Sequence, residues 1–221
     1  RLEDNANYTL LLQELRLQLD AAAAQDGRTY LLTIAAPAGY DKVANIDPAG
    51  IAAACDWINV MTYDFHGAWD LSQTGHQAAL YPNPDDPSND EIATLYNASA
   101  AIDLFLESGV QPSELVLGVP FYGRAWAGVG PANNGLFQAA NSVPPGTWED
   151  WSSGDTGVND YTEIMSFLAS GLYALHRDEH SQVPWLYSPT QHGGHFISFD
   201  DDVSMATKAQ YVQDSDLGGI M

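Results

Sequence analysis

Residues 57–64 of the chain, WINVMTYD, decide the fold that we expect. This apolar run has the length of one strand and ends abruptly in polar residues. Segments 30–37 (YLLTIAAP) and 115–122 (LVLGVPFY) show the same pattern, with near-continuous rather than alternating apolar residues. Such runs are typical of strands that are covered on both faces, as in parallel α/β sheets. A fourth strand is predicted at 218–221 (GGIM).

Helical segments separate the predicted strands. They are expected at residues 8–24, 46–54, 89–108 and 203–213. The first of them carries a stripe of leucines on one helical face, namely Leu11, Leu12, Leu15 and Leu19. Ser88 and Glu91 stand in capping-box spacing at the start of the third. Strands that alternate with helices in this way predict βαβ units and a parallel sheet.

One connection is too long for a simple crossover. Between residues 125 and 199 the chain is rich in Gly, Pro, Trp and Ser, with one predicted helix at 161–174. We interpret this stretch as an inserted α+β subdomain. The remaining residues number about 145, whereas a complete eight-stranded barrel takes roughly 250. The four parallel strands can therefore form an open sheet or half of a barrel, but not a closed one.

The composition excludes several classes of partner. The chain has 7 Lys and Arg against 29 Asp and Glu, a net charge of −22, so nucleic acid and anionic membranes are not expected to bind it. No apolar run approaches the roughly 18 residues that a membrane-spanning helix needs. Cys55 is the single cysteine, which rules out an intramolecular disulfide, and we expect an inert buried thiol.

Polar and aromatic residues gather where the second and third predicted strands end. The first group is MTYD at 61–64 with FHGAW after it, and the second is FYGRAW at 121–126. In parallel α/β folds this edge forms the ligand-binding face. Aromatic rings there would stack on sugar faces, while a carboxylate and a guanidinium would hydrogen-bond to hydroxyls and amides. The same residues would also suit an ordinary polar cap on the strand ends.

Two histidine pairs have spacings found in metal sites. His176 and His180 lie on a predicted helix, and His192 and His195 lie in a glycine-rich loop. We place both pairs on the outer surface of the insertion and predict no metal. Neither a phosphate-binding glycine loop nor a Gly-x-Ser-x-Gly elbow occurs in the sequence, and no cofactor is expected.

An ordered set of motifs resembles family 18 chitinases across nearly the whole chain. The motifs are MTYDFHGAWD at 61–70, LVLGVPFYGRAW at 115–126, VPWLYSP at 183–189, FISFDDDVSMATKAQYV at 196–212, and the final GGIM. The resemblance implies an α/β fold, the second half of a (β/α)8 TIM barrel with an inserted α+β subdomain. Residues 1–124 would hold barrel strands 5–7 with their helices, 125–199 the insertion, and 200–221 the last barrel helix and the start of strand 8.

The resemblance also implies roles for residues at the strand ends. Tyr63 would hydrogen-bond the acetamido group of the substrate as its carbonyl attacks the anomeric carbon. Asp64 would orient the substrate beside it, and Met61 would line the floor of the same subsite. Trp69 would be a stacking platform on the aglycone side.

The remaining implied contacts come from later in the chain. Tyr122 and Arg124 would bind sugar hydroxyls or the acetamide carbonyl near the scissile bond. Glu163 resembles a carboxylate that the family's insertion places on the glycone side. The implied substrate is chitin or a chitooligosaccharide, and the implied whole protein is a secreted monomer.

The implied mechanism is retaining and substrate-assisted, without a second carboxylate nucleophile. A protein carboxylic acid would protonate the leaving oxygen and then activate water. In the family this acid belongs to a DxxDxDxE-type motif just before the first helix, and no such motif occurs in residues 1–221. We therefore expect a fragment whose acid lies upstream of Glu3 and which is inactive alone.

Two other functions are compatible with the resemblance. A chitinase-like lectin would bind chitooligosaccharides without cleaving them, but the intact Tyr63, Asp64, Tyr122 and Arg124 favour an active parent. An endo-β-N-acetylglucosaminidase of the same family is disfavoured by the large insertion, which suits long chitin-like chains.

Overall fold

The computed structural model describes residues 2–149 and 154–221, and the chain divides into two compact units. The first comprises Arg1–Thr62, Ala98–Gly118 and Ala209–Met221. The second comprises Tyr63–Asn97 and Val119–Lys208. These units are defined by internal contacts, so the domain boundaries at 124/125 and 199/200 stay a prediction.

The first unit contains a four-stranded parallel sheet in the order β1-β2-β3-β9. Its strands are β1 (Thr33–Pro37), β2 (Trp57–Met61), β3 (Leu115–Leu117) and β9 (Gly219–Ile220). The register pairs Thr33 with Trp57 and Ile58 with Leu115. Ile58, Val60, Leu115 and Leu117 are fully buried. The alternate residues, such as Asn59 and Val116, are only partly buried, so the described residues do not cover both faces of these strands as the apolar runs predict. The parallel pairing of the four predicted segments is confirmed.

The helices that lie wholly in the described part of the first unit include α1 (Leu2–Asp26), α2 (Tyr40–Val43), α3 (Pro48–Ala52) and α5 (Ala98–Glu107). Gly27 ends α1 in the left-handed conformation (φ 64°), and its N–H donates to the carbonyl of Ala23. The helix confirms the prediction for 8–24, but the leucine stripe behaves differently. Leu12 is buried whereas Leu11 and Leu15 are exposed, so the described residues leave most of that face uncovered.

The single helix predicted at 89–108 is two helices. α4 (Asp90–Leu95) ends at Tyr96, whose φ of −93° and ψ of 63° are not helical, and α5 then begins at Ala98. Asn89, rather than Ser88, caps α4 by accepting the N–H of Ile92 at 3.0 Å. The Ser88 hydroxyl accepts a hydrogen bond from Gln73 instead.

The second unit is built around a five-stranded antiparallel sheet in the order β5-β4-β8-β7-β6. Its strands are β4 (Tyr122–Ala127), β5 (Val158–Asp160), β6 (Ala174–Asp178), β7 (Val183–Ser188) and β8 (His195–Ser198). One face packs a core that includes Trp126, Trp185, Tyr187 and Phe196. The other packs Ile164 of α6 (Tyr161–Ala169) against Leu186 and Ile197.

Two predicted boundaries differ from the structure in this region. The strand predicted at 115–122 is two strands, because β3 ends at Leu117 while Tyr122 begins β4 in the antiparallel sheet. Pro120 lies between them and has no N–H to donate to a ladder. The helix predicted at 161–174 ends at Ala169, and residue 174 is already the first of β6.

The last helix, α7 (Asp202–Asp214), contains a buried lysine. Lys208 Nζ donates to Asp200 Oδ2 at 2.6 Å and to the carbonyl of Ala78 at 2.7 Å. Burial lowers the pKa of Lys208, against the opposing charge and hydrogen bond of Asp200. None of the helices within the described ranges combines the length and apolar character that a bilayer crossing requires.

Gly194 is a position where we expect a methyl group to be costly. Its φ of 114° is a glycine conformation, and an added Cβ would lie 1.9 Å from the carbonyl oxygen of Val129. Gly194→Ala should therefore lower the free energy of unfolding by about 2 kcal/mol. Gly130→Ala is the control, since nothing lies within 4 Å of a Cβ there. Urea unfolding of both variants checks this, and equal losses would contradict it.

Candidate functional site

Asp64 follows β2 in the chain and has a left-handed backbone (φ 59°). Aspartate tolerates this conformation better than most residues do, because its short polar side chain bonds locally. The next residue, Phe65, donates its N–H to the carbonyl of Gln77 at 2.9 Å. The turn that carries the Asp64 carboxylate is thus held by a backbone hydrogen bond directly after it.

Tyr122 and Arg124 lie on β4, two residues apart, so their side chains point to the same face of the sheet. The Tyr122 hydroxyl donates to Asp64 Oδ1 at 2.8 Å. Arg124 donates from Nε to Oδ1 and from Nη2 to Oδ2, both at 2.8 Å. We call Asp64, Tyr122 and Arg124 the Asp64 cluster. Its bidentate ion pair fixes the plane of the carboxylate as well as its position.

The electrostatics of the cluster keep Tyr122 and Arg124 each in one protonation state at neutral pH. Burial, followed by the hydrogen bond and charge of Asp64, raises the pKa of Tyr122 well above its usual range. For Arg124, burial acts to lower the pKa, but the hydrogen bonds and charge of Asp64 outweigh it and raise the pKa. Tyr122 therefore remains a hydrogen-bond donor and Arg124 remains a cation.

Two further aromatic rings lie beside the cluster. Trp69 is 62% exposed, and its ring lies 4.8 Å from Arg124 Cζ in a cation–π arrangement. Tyr63 meets the ring of Tyr122 edge to face, with centroids 6.3 Å apart. A carboxylate, a guanidinium, two phenols and an exposed indole are thus brought together, which suits recognition of a sugar that carries an amide.

The other two predicted substrate contacts are Met61 and Glu163. Met61 is the last residue of β2, in the first unit. Glu163 lies on α6, where its carboxylate accepts hydrogen bonds from Thr147 and from Asn159 Nδ2. Within the described residues, no hydrogen bond or ion pair joins Glu163 to the Asp64 cluster. Substrate contact by Met61 and Glu163 stays a prediction.

The histidine pairs are placed differently from the sequence-based expectation. His176 lies on strand β6 rather than on a helix, and its ring stacks on Trp185 with centroids 5.1 Å apart. His195 is buried in β8 rather than exposed on an outer surface, and its Nδ1 lies 2.7 Å from the Tyr173 hydroxyl. The described residues bring no group of three His, Cys, Asp or Glu together for a metal ion.

His195 predicts a pH dependence of stability. Burial, with a smaller effect from His192, lowers the pKa of His195 from 6.5 to about 3. Below pH 6.5 the unfolded chain therefore binds a proton that the folded chain does not, and stability falls as the pH falls. We expect the free energy of unfolding to drop by about 2 kcal/mol between pH 7 and pH 5 from this group.

Urea unfolding at both pH values, compared with His195→Gln, measures that contribution. The variant should lose less stability than the wild type over the interval, because glutamine does not titrate. His180→Gln, at an exposed position, is the matched control. Equal pH dependence of the wild type and His195→Gln would contradict the assignment.

Sequence reasoning missed a buried contact between a histidine and an aspartate in the second unit. His76 Nε2 lies 2.9 Å from Asp178 Oδ2, and both side chains are almost fully buried. Asp178 also accepts hydrogen bonds from Asn83 and from the N–H of Ser181. Burial acts against the carboxylate, but the hydrogen bond and charge of His76 lower the pKa of Asp178. Because the partners lie far apart in sequence, no local spacing could have revealed the pair.

A family model of glycosyl hydrolases family 18 matches residues 2–221. The chain belongs to this family. Among curated relatives, the family 18 chain is 41% identical to Chitinase A1 of Niallia circulans, over 100% of this chain and 31% of that protein. It is 39% identical to a chitinase of Autographa californica nuclear polyhedrosis virus, over 98% of this chain and 37% of that protein.

Solved structures agree with the sequence matches. The family 18 chain superimposes on chitinase ChiA74 from Bacillus thuringiensis with a TM-score of 0.92 and 41% identity, covering 100% of this chain and 36% of that one. The fold is therefore the α/β fold of the family 18 chitinases, a TIM-barrel family. The chain spans about a third of the length of these relatives.

Proposed function

We propose that this chain supplies the substrate-orienting part of a chitinase that hydrolyses β-1,4-linked N-acetylglucosamine. The observation that carries the proposal is the Asp64 cluster, in which one carboxylate accepts hydrogen bonds from Tyr122 and Arg124 next to Tyr63. Relatives that match along the whole chain are named chitinases, which supports chitin or chitooligosaccharide as the substrate.

The proposed reaction is retaining, with the substrate's own 2-acetamido oxygen as nucleophile. Tyr63 would donate its hydroxyl to the acetamido group while the carbonyl turns toward the anomeric carbon. Burial and the charge of Asp64 raise the pKa of Tyr63, so the hydroxyl keeps its proton for this role. Asp64 would accept a hydrogen bond from the acetamido N–H. The hydrogen bonds that its carboxylate accepts from Tyr122 and Arg124 of β4 keep it from rotating freely.

The acid that protonates the leaving oxygen is not assigned to any residue of this chain. Residues 1–221 contain no DxxDxDxE motif, and we propose that the whole protein supplies it from outside these residues. In the same proposal residues 1–124 and 200–221 form the second half of the barrel and 125–199 its insertion. The four parallel strands and the separate antiparallel sheet support a barrel portion and an insertion, with the antiparallel sheet beginning at Tyr122.

Binding without hydrolysis is the second candidate, since a lectin would keep the same sugar contacts and lack the acid. The three hydrogen bonds that fix the Asp64 carboxylate favour the hydrolase. Orienting an acetamide for attack is of use only where a bond is cleaved. The residue at the last position of the acid motif decides between them: Glu supports the hydrolase, and Gln or Leu supports the lectin.

Calorimetric titration with chitotetraose and cellotetraose tests the sugar specificity. We expect chitotetraose to bind at least about tenfold more tightly, because cellotetraose has no acetamido group for Tyr63 and Asp64. Trp69→Ala should weaken chitotetraose binding about tenfold by removing the stacking platform. Trp148→Ala is the matched control, since Trp148 is even more exposed and contacts no member of the cluster among the described residues. Equal affinity for chitotetraose and cellotetraose would contradict the proposal.

A further inference from the structure

Gln77 is a fully buried polar residue with contacts in three directions. Its carbonyl accepts the N–H of Phe65 at 2.9 Å, directly after Asp64. Its side-chain Nε2 donates to the carbonyl of Tyr122 at 2.6 Å. Its own N–H donates to the hydroxyl of Ser198 at 2.9 Å. These partners lie on the Asp64 turn, on β4 and on β8.

The geometry of the sheet explains why these contacts matter. Ser198 pairs with Arg124 across the β4–β8 ladder, so Gln77 bonds to the main chain of Tyr122 and to the strand partner of Arg124. The hydrogen bonds within the Asp64 cluster require the Asp64 carboxylate to stay 2.8 Å from the Tyr122 hydroxyl and from Arg124 Nε, so they depend on how the turn and β4 are held relative to each other. Gln77 is the residue whose main chain holds the turn while its side chain holds the strand.

We propose that Gln77 is a positioning residue that sets the separation between the Asp64 turn and β4. Its main-chain carbonyl bonds to the Asp64 turn and its side-chain amide bonds to β4, and no regular ladder joins that turn to β4 within the described residues. Loss of that bridge would loosen the bidentate bond from Arg124 to Asp64 without removing either partner. The consequence for sugar binding rests on the proposed function, whereas the effect on the Arg124 contact does not.

A general role in packing is the competing explanation, and Gln73 provides the control for it. Gln73 lies four residues earlier on the same segment, and its Nε2 donates to Asp86 Oδ1 and Ser88 Oγ, both at 2.9 Å. It has no contact with the Asp64 cluster among the described residues. Replacing either glutamine by methionine keeps most of the side-chain volume and removes its hydrogen bonds.

The test is the hydrogen exchange of the Arg124 Nε–H, followed by NMR in the 221-residue chain. The sequence has only five arginines, so this resonance can be assigned, and Arg177, paired with Asp201, is an internal reference. We expect Gln77→Met to speed exchange at Arg124 about fivefold, the change expected from one lost hydrogen bond. Exchange at Arg177 should not change. Gln73→Met should leave both rates unchanged.

Two results would overturn the proposal: unchanged Arg124 exchange in a folded Gln77→Met chain, or equal acceleration in Gln73→Met. If Gln77→Met does not fold, Gln77→Asn replaces it, since the shorter amide keeps the main-chain bonds but does not reach Tyr122. Chitotetraose titration of the same variants separates the two proposals. Faster exchange with weaker binding supports both, while faster exchange in a chain that binds no sugar keeps the role of Gln77 and refutes the proposed function.

Discussion

The 221-residue chain alone is expected to release no measurable chromophore from a chromogenic chitobioside. Substrate-assisted hydrolysis still needs a protein acid to protonate the leaving oxygen. The carboxylate at the proposed site, Asp64, already accepts three hydrogen bonds and is ion-paired with Arg124, so it is an acceptor and not a proton donor. General acid catalysis accounts for roughly 10²–10⁴ in rate, and its loss places turnover below detection.

The matched experiment extends the chain upstream through the proposed acid motif. The extended protein should hydrolyse the chitobioside, and replacing the last Glu of that motif by Gln should return it to the background rate. Chitotetraose binding by the short chain, measured in parallel, shows that its site is formed. Turnover by the 221-residue chain alone would refute the placement of the acid outside it.

The second large effect concerns the ion pair of the Asp64 cluster. Asp64→Asn and Arg124→Met should each weaken chitotetraose binding about a hundredfold, since each leaves a half-buried partner without its counter-charge. Asparagine retains both the size and the left-handed backbone of Asp64, so this variant isolates the charge. Arg124→Lys should give a smaller loss, because lysine keeps the charge but not the bidentate bond.

A double-mutant cycle separates the contribution of the Asp64–Arg124 pair to sugar binding from the contributions of the two individual side chains. Combined Asp64→Asn and Arg124→Met should cost less than the sum of the single losses, because the second change removes a group that the first has already left unpaired. Asp201→Asn is the control, as it breaks the bidentate pair with Arg177 elsewhere in the second unit. It should lower stability and leave the affinity unchanged. Strict additivity in the cycle would contradict the assigned pairing.

Apolar patterning predicted the parallel strands well, because residues such as Ile58 and Leu115, which are paired on one face of the sheet, are fully buried. Boundaries were less predictable. The pattern over 115–122 continues through Pro120, and only three-dimensional pairing shows that Tyr122 belongs to another sheet. The helix over 89–108 breaks at Tyr96, whose backbone angles are not helical. The helix propensities of these residues do not indicate that break.

The candidate site was predicted in part. Aromatic and charged residues after two strands indicated Tyr63, Asp64, Trp69, Tyr122 and Arg124, and the structure brings these five together. The buried side chains that support them were not predictable. Gln77 and His76 bond to residues that are distant in sequence, so their roles depend on the tertiary fold. A buried glutamine has no periodicity or spacing that would distinguish it from an exposed one.

The guanidinium of Arg124 bonds through its edge to Asp64, while the ring of Trp69 lies 4.8 Å from its Cζ. A sugar that stacks on the indole would therefore also dehydrate the cation, and this strengthens the attraction between Arg124 and Asp64. If Trp69 and Asp64 line neighbouring sugar subsites as proposed, occupation of the first and alignment of the carboxylate in the second would be thermodynamically linked. Under the proposed function, longer oligosaccharides gain affinity cooperatively rather than by equal increments per sugar.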